Sequence, residues 1–135
     1  MKTHLFSLVL FFATLPVAGC SLTSDHFSCG MFASGKLVRC VDYEQVGVQF
    51  RSTVEVLCRG LQGDFSVDTT CPQEGKIGGC KTEGSGYIQT SWYYPDSIAM
   101  TPQEVAGRCS GKDYYVDPSG MRTQPGAADM STGDH

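Results

Sequence analysis

Cysteine is the residue type with the most chemistry to offer in this 135-residue chain, which carries it at positions 20, 29, 40, 58, 71, 80 and 109. Three chemistries compete: metal ligation, a nucleophilic thiol and disulfide bridging. Structural zinc needs ligand pairs at spacings such as C-x₂-C or H-x₃-H, and here the nearest cysteines are nine residues apart. A catalytic thiol needs a base close by. Beyond the first nineteen residues the histidines are His26, near the start of the chain, and His135, its last residue. Neither a metal nor a cofactor is therefore expected. Bridging remains, and it requires an oxidising compartment.

The spacing of these cysteines repeats. Cys29 precedes Cys58 by 29 residues, and Cys80 precedes Cys109 by the same distance. A shift of 51 also superposes Ser34-Gly35 on Ser85-Gly86, Leu37 on Ile88, Tyr43 on Tyr94 and Gly60 on Gly111. After a two-residue gap, DFSVD at 64–68 meets DYYVD at 113–117. Such self-similarity points to a tandem duplication, with one copy over 27–79 and the other over 80–117. The second copy holds only Cys80 and Cys109, so a self-contained repeat pairs them. The first copy then pairs Cys29 with Cys58 and leaves Cys40 for Cys71. Six cysteines allow fifteen connectivities, and a Cys29–Cys40 bridge across a hairpin at Ser34-Gly35 is the rival. Each bridge of the repeat-based set closes a loop of roughly 30 residues, worth about 3–4 kcal/mol if chain entropy dominates.

Other residues offer less. Asp64, Asp68, Asp113 and Asp117 recur in the two copies, and glycoside hydrolysis uses paired carboxylates. They flank strands, where solvated aspartates are ordinary. Glycines 75, 78 and 79 (EGKIGGC) lack the Gly-Lys-Ser/Thr of a phosphate loop and read as a connector. The stretch Tyr87–Tyr94 is more informative. In an extended strand Tyr87, Gln89, Ser91 and Tyr93 share one face, and Ile88, Thr90, Trp92 and Tyr94 share the other. The second set contains core residues, which leaves Tyr87 and Tyr93 as a candidate ligand face for a glycan or peptide.

The elements that position these side chains follow from local signals. Ser34-Gly35 and Ser85-Gly86 sit between strand-forming runs, as in β-hairpins. The descending arms, 36–43 and 87–94, are rich in β-branched and aromatic residues. Ser52-Thr53-Val54-Glu55 and Thr101-Pro102-Gln103-Glu104 both read as capping boxes opening short helices, with Pro102 at the first helical position. Gly60 and Gly111 stop each helix, and DFSVD or DYYVD supplies a closing strand. The expected fold is a small, disulfide-rich α+β domain, mostly antiparallel β, built from two hairpin–short helix–strand units.

Residues 1–20 read MKTHLFSLVLFFATLPVAGC. Lys2 gives a positive start, and Leu5 to Leu15 form an apolar run too short to span a bilayer but suited to a signal peptide. The run ends in Val17-Ala18-Gly19-Cys20, which resembles the lipobox of bacterial lipoproteins. The resemblance covers these twenty residues only and says nothing of the fold that follows. It implies cleavage after Gly19, a signal peptide at 1–19, acylation of Cys20 and a membrane anchored through acyl chains. Ser21 after the cysteine implies, by resemblance to lipoproteins of Gram-negative bacteria, the outer membrane. Cysteine parity agrees, because removing Cys20 from seven leaves six to pair.

Lys2 is the one charged side chain in 1–19, so 9 basic and 14 acidic side chains remain beyond it. That balance gives no basic footprint for nucleic acid. Residues 20–26 read as the lipidated N-terminus and a polar tether. Residues 118–135 hold two Pro, three Gly and no aromatic residue, the composition of a disordered tail. The reading is a lipid-anchored, non-catalytic binding or interaction module of the cell envelope, with a glycan or protein component as partner. The alternative is a small secreted enzyme, or a protease inhibitor presenting 73–79 as its loop.

Overall fold

A computed structural model of the chain describes residues 25–95 and 101–124. Residues 1–24, on which the expected signal peptide, lipobox and Cys20 acylation fall, and residues 125–135 of the expected tail lie outside the described residues. The elements run β1 (Asp25–Ala33), β2 (Lys36–Val46), a 3₁₀ turn (Val48–Phe50), α1 (Arg51–Gly60), β3 (Asp64–Val67), β4 (Gly78–Gly84), β5 (Tyr87–Tyr93), α2 (Pro102–Arg108) and β6 (Tyr114–Val116). The strands form one antiparallel sheet in the order β3-β1-β2-β5-β4-β6.

Local chemistry explains most boundaries. The β1–β2 turn needs positive φ at both central residues, met by Ser34 at 51° and Gly35 at 75°. The β4–β5 turn places Gly86 at 83°. At α2 the capping box forms: Glu104 N–H donates to Thr101 Oγ1 (3.2 Å) and Thr101 N–H to Glu104 Oε2 (2.9 Å). At α1 the expected box does not form. The 3₁₀ turn feeds directly into the helix, so its N-cap is Phe50, with no side-chain cap, and Ser52 is already helical.

Strand register decides which side chains share a face. Cross-strand pairing places Phe65, Cys29, Val41, Ser91, Cys80 and Tyr115 in one row across all six strands. Partners directly opposite point to the same side, so Cys29 and Cys80 project from one face. From that face the disulfides Cys29–Cys58 and Cys80–Cys109 reach α1 and α2. Both helices therefore cover the same side. Under α2 the core is Val105, fully buried against Tyr115, with Ile77, Tyr93 and Ala106 around them. Phe27, also fully buried, meets the Phe65 ring at 5.8 Å beside α1.

A bulge settles the rival bridge. Met31 pairs with Arg39 but Phe32 pairs with Leu37, so between these pairs β2 carries one extra residue. Cys29 consequently faces Val41, and Cys40 faces Gly30 on the opposite side of the sheet. Cys40 instead bonds Cys71, which draws residues 69–77 across the helix-free face. Two boundaries also move. His26 lies in β1 rather than in a tether, because Asp25 already pairs with Val46. The chain stays ordered past residue 118: Asp117 Oδ1 accepts from Ser119 N–H (2.9 Å) and Met121 N–H (3.1 Å), and Arg122 returns to bridge Val116. No helix among the described residues is long and apolar enough to cross a membrane.

Candidate functional site

The helix-free face carries two rows of side chains. One runs Ser66, Ser28, Asp42, Thr90, Lys81 and Tyr114, polar throughout. Beside it run Asp64, Gly30, Cys40, Trp92, Gly79 and Val116. Because strand side chains alternate, Cys40, Asp42 and Glu44 of β2 all point to this side.

Asp42 is the hub. Its carboxylate is buried, and its two oxygens accept separate bonds: Oδ1 from the Cys71 backbone N–H at 2.8 Å, Oδ2 from the Trp92 indole N–H at 2.8 Å. His26 Nε2 stands 3.6 Å from Oδ1. One acid thus ties β2 to β5 and to the crossing loop. Further bonds pin that loop, from Tyr94 O–H to the Pro72 carbonyl (2.6 Å) and from Ile77 N–H to the Tyr93 carbonyl (2.9 Å). Trp92 lies on Gly79, where an added Cβ would sit 2.8 Å from the indole and 3.0 Å from the Ser91 carbonyl. Only glycine lets the ring approach the sheet this closely.

The Lys76 ammonium rests 3.8 Å from the centre of the Trp92 ring, a cation–π contact strengthened by its burial. That burial lowers the lysine's pKa, and the Asp42 charge works against the shift. The Gln73 amide lies between Lys76 Nζ and the Pro118 carbonyl, and with its oxygen toward the amine it accepts from Lys76 (3.3 Å) and donates to Pro118 (3.1 Å). Between sheet and loop an open pocket of about 270 Å³ remains, lined by Asp42, Glu44, Lys76, Lys81, Thr90 and Trp92, with Thr70, Gln73 and Ser119 from the loops. Its wall combines two amines, a carboxylate beside the buried Asp42, hydroxyls and an amide. That set can donate to and accept from a small, hydroxyl-rich molecule at several points.

The residues singled out from sequence are placed differently. Tyr87 and Tyr93 point to the helix-bearing side, as their alternation with Trp92 requires. Tyr87 is exposed at the hairpin end. Tyr93 packs against the α2 cluster, with Arg39 at 5.5 Å and Arg108 at 5.9 Å over its ring. Six residues of strand separate the two by about 20 Å, so they do not form one platform. The aspartates do not converge either. Asp64 belongs to one edge strand, and Asp113 leads into the other, where it accepts from Thr82 Oγ1 at 2.5 Å. Five strand spacings put the pairs about 24 Å apart, whereas glycosidase carboxylates lie about 5–9.5 Å apart. Among the described residues no group of three His, Cys, Asp or Glu side chains is arranged to hold a metal.

Sequence reasoning passed over Asp42, Lys76, Lys81 and Glu44. A signal for Asp42 existed: an acid two residues from Cys40, hence on the cysteine's side of a buried strand. Nothing local marked Lys76, whose partner Trp92 lies 16 residues away.

The phenols of the sheet set a limit on alkaline stability. Burial raises the pKa values of Tyr43, Tyr94 and Tyr115, and hydrogen bonding to Glu83 raises that of Tyr114. Their contribution is full below pH 10, where unfolded tyrosine titrates, and is lost as pH climbs toward the folded values. Lys76 acts oppositely, favouring the fold as pH rises from its lowered value to 10.5, and adds nothing further above that. The expected result is cooperative unfolding above pH 10. Tyrosinate absorbance and loss of far-ultraviolet circular dichroism should coincide, and phenol ionisation with the dichroism intact would contradict it.

Comparison of the chain with protein-family models, with curated proteins and with solved structures gives no match.

Proposed function

We propose that this is a lipid-anchored bacterial envelope protein, acylated at Cys20 and held in the outer membrane, whose domain binds a polar envelope component, a glycan, without transforming it. The observation that carries the binding reading is the pocket over Asp42, where Lys81, Thr90 and Glu44 offer donors and acceptors beside a rigid indole. Rigidity matters here. A ligand meets side chains already fixed by the Cys40–Cys71 bridge and the Asp42 bonds, so little ordering cost falls on binding. The anchor reading rests on the Leu5–Leu15 run, the Val17-Ala18-Gly19-Cys20 motif and the pairing of the other six cysteines. The inhibitor alternative would use the loop held to the sheet at Pro72 and Ile77, with residues 72–75 exposed between those two points.

We further read the domain as a tandem duplication. The strand order is a palindrome about the β2–β5 junction, each half running hairpin, helix, strand, with equivalent disulfides from the first strand to the helix. With Val38 taken as the extra residue of the bulge, Tyr43 matches Tyr93 rather than Tyr94.

Trp92 is the single tryptophan, so its fluorescence reports on the pocket directly. Titration with soluble peptidoglycan disaccharides and with lipopolysaccharide core oligosaccharides should give a saturable change with one of them. Thr90→Val and Lys81→Met should each weaken it about five-fold, the loss of roughly one hydrogen bond. No change with either saccharide class would refute the glycan reading. Intact-mass analysis of protein made in a Gram-negative host should find Cys20 as an acylated N-terminus. A mature chain starting elsewhere would refute the anchor.

A further inference from the structure

The two halves of the domain treat their helices differently. In α2 the apolar Val105 is fully buried, and the outward positions are Pro102, Gln103, Glu104, Gly107 and Arg108. In α1 the one buried residue is Cys58. Val56, Leu57 and Leu61 are 70%, 62% and 67% exposed, and Val48 and Phe50 just before the helix are 62% and 54% exposed. The same unit thus folds in the other half of the domain with a polar outer surface. The apolar residues of α1 are not required by the fold.

Their arrangement is not scattered. Phe50, Leu57 and Leu61 follow at steps of seven and four, which places them along one side of a helix, while Val56 stands about 100° round from Leu57. Arg51, Glu55 and Arg59 occupy the other side, Arg59 bonded to Glu55 at 3.0 Å. A contiguous apolar band of this kind on an otherwise acidic domain marks an interaction surface. Where the chain enters the domain selects the partner. Asp25 pairs with Val46, two residues before the 3₁₀ turn that leads into α1. The described chain therefore begins opposite a residue four positions before Phe50, within about 13 Å of it at full extension. Five residues from Cys20 to Ser24 reach at most about 17 Å, comparable with the length of the band itself, ~16 Å from Phe50 to Leu61.

We infer that the exposed face of α1 lies on the phospholipid bilayer into which the acyl chains of Cys20 insert, so that the domain is oriented as well as anchored. The inference rests on the anchor reading above. The band would sit at the boundary of headgroup and hydrocarbon, as interfacial helices do. Both helices cover one face of the sheet and the pocket opens on the other, so a bilayer against the exposed side of α1 leaves the pocket uncovered.

The test places a second indole in the band. Full-length protein, wild type or Leu57→Trp, is produced with its own leader and reconstituted in phosphatidylethanolamine–phosphatidylglycerol vesicles containing brominated acyl chains. The added indole should be quenched about two-fold or more at the depth of an interfacial helix, while Trp92 in the wild type stays unquenched. Leu61→Trp repeats the measurement at an independent exposed site. Vesicle-bound protein with neither added indole quenched overturns the inference, as does self-association through Leu57 detected by cross-linking on the vesicle. Failure to float with vesicles at all would strike the anchor reading instead. In that event the Cys20 thiol, the one cysteine outside the three disulfides, is coupled to a maleimide phospholipid and the quenching is read again with the same two outcomes.

Discussion

Asp42→Ala is expected to destabilise the protein by about 3–5 kcal/mol, the cost of breaking a buried charged network by removing one partner. Two buried donors lose their acceptor at once, the Trp92 indole N–H and the Cys71 backbone N–H, each 2.8 Å from a carboxylate oxygen. An orphaned buried donor costs about 1–3 kcal/mol, and the Trp92 side chain packed on Gly79 is only 6% exposed. Against a total stability of about 5–15 kcal/mol for a small domain, a loss of this size leaves a fold that melts early. Asp42→Asn should cost less, because its carbonyl can still serve one donor. The Trp92 indole proton resonance should move upfield in both variants as its charged acceptor disappears. Urea denaturation showing a change under 1 kcal/mol for the alanine variant would mean that the hub is incidental.

The second large effect is expected from the paired change Cys40→Ala with Cys71→Ala. The bridge spans 31 residues, and removing it should cost about 3.5 kcal/mol from chain entropy alone. The consequence is also local. Loop 69–77 crosses the sheet because Cys71 is bound there, and its floor is the same Asp42 carboxylate. Without the bridge the Lys76–Trp92 contact and the pocket wall depend on a few hydrogen bonds. Saccharide-induced change in Trp92 fluorescence should disappear even at temperatures where the variant remains folded. The pair Cys80→Ala with Cys109→Ala should lower stability by a similar amount, since its loop is nearly as long, yet leave the pocket responsive. Equal loss of the fluorescence response in both paired variants would show that the Cys40–Cys71 bridge has no special hold on the site.

Much of the architecture was legible in the residues because its causes are local. Gly35 and Gly86 announce hairpins, since a tight turn needs positive φ and little else. Thr101-Pro102-Gln103-Glu104 announces a helix start, because hydroxyl, amide and carboxylate satisfy one another within four residues. Alternation along Tyr87–Tyr93 separates the side of Trp92 from that of Tyr93 without reference to any other strand. Antiparallel β structure with two short helices follows from such signals. The failure at Ser52 has the same origin: a capping box is a local competitor, and here the preceding 3₁₀ turn reached the helix first.

The site was not legible, because its causes are long-range. One extra residue in β2 changes the register, and with it which face Cys40 and Asp42 occupy relative to Cys29. No local signal in the run Lys36–Val46 requires that bulge; it is decided when β2 must pair with β1 on one side and β5 on the other. Asp42 meets Trp92 and Cys71, 50 and 29 residues away in the chain, and Lys76 finds the indole only once the loop is drawn over the sheet. The exposure of Leu57 and Leu61 is likewise a tertiary outcome. Their helical spacing, taken alone, would assign them to a core, and only the position of α1 on the sheet leaves them facing outward. By itself the sequence determined the elements and their turns, through contacts a few residues apart. Register, the choice of face and the partners of each buried charge were decided by the packed sheet, because those are properties of strands brought together and of no strand alone.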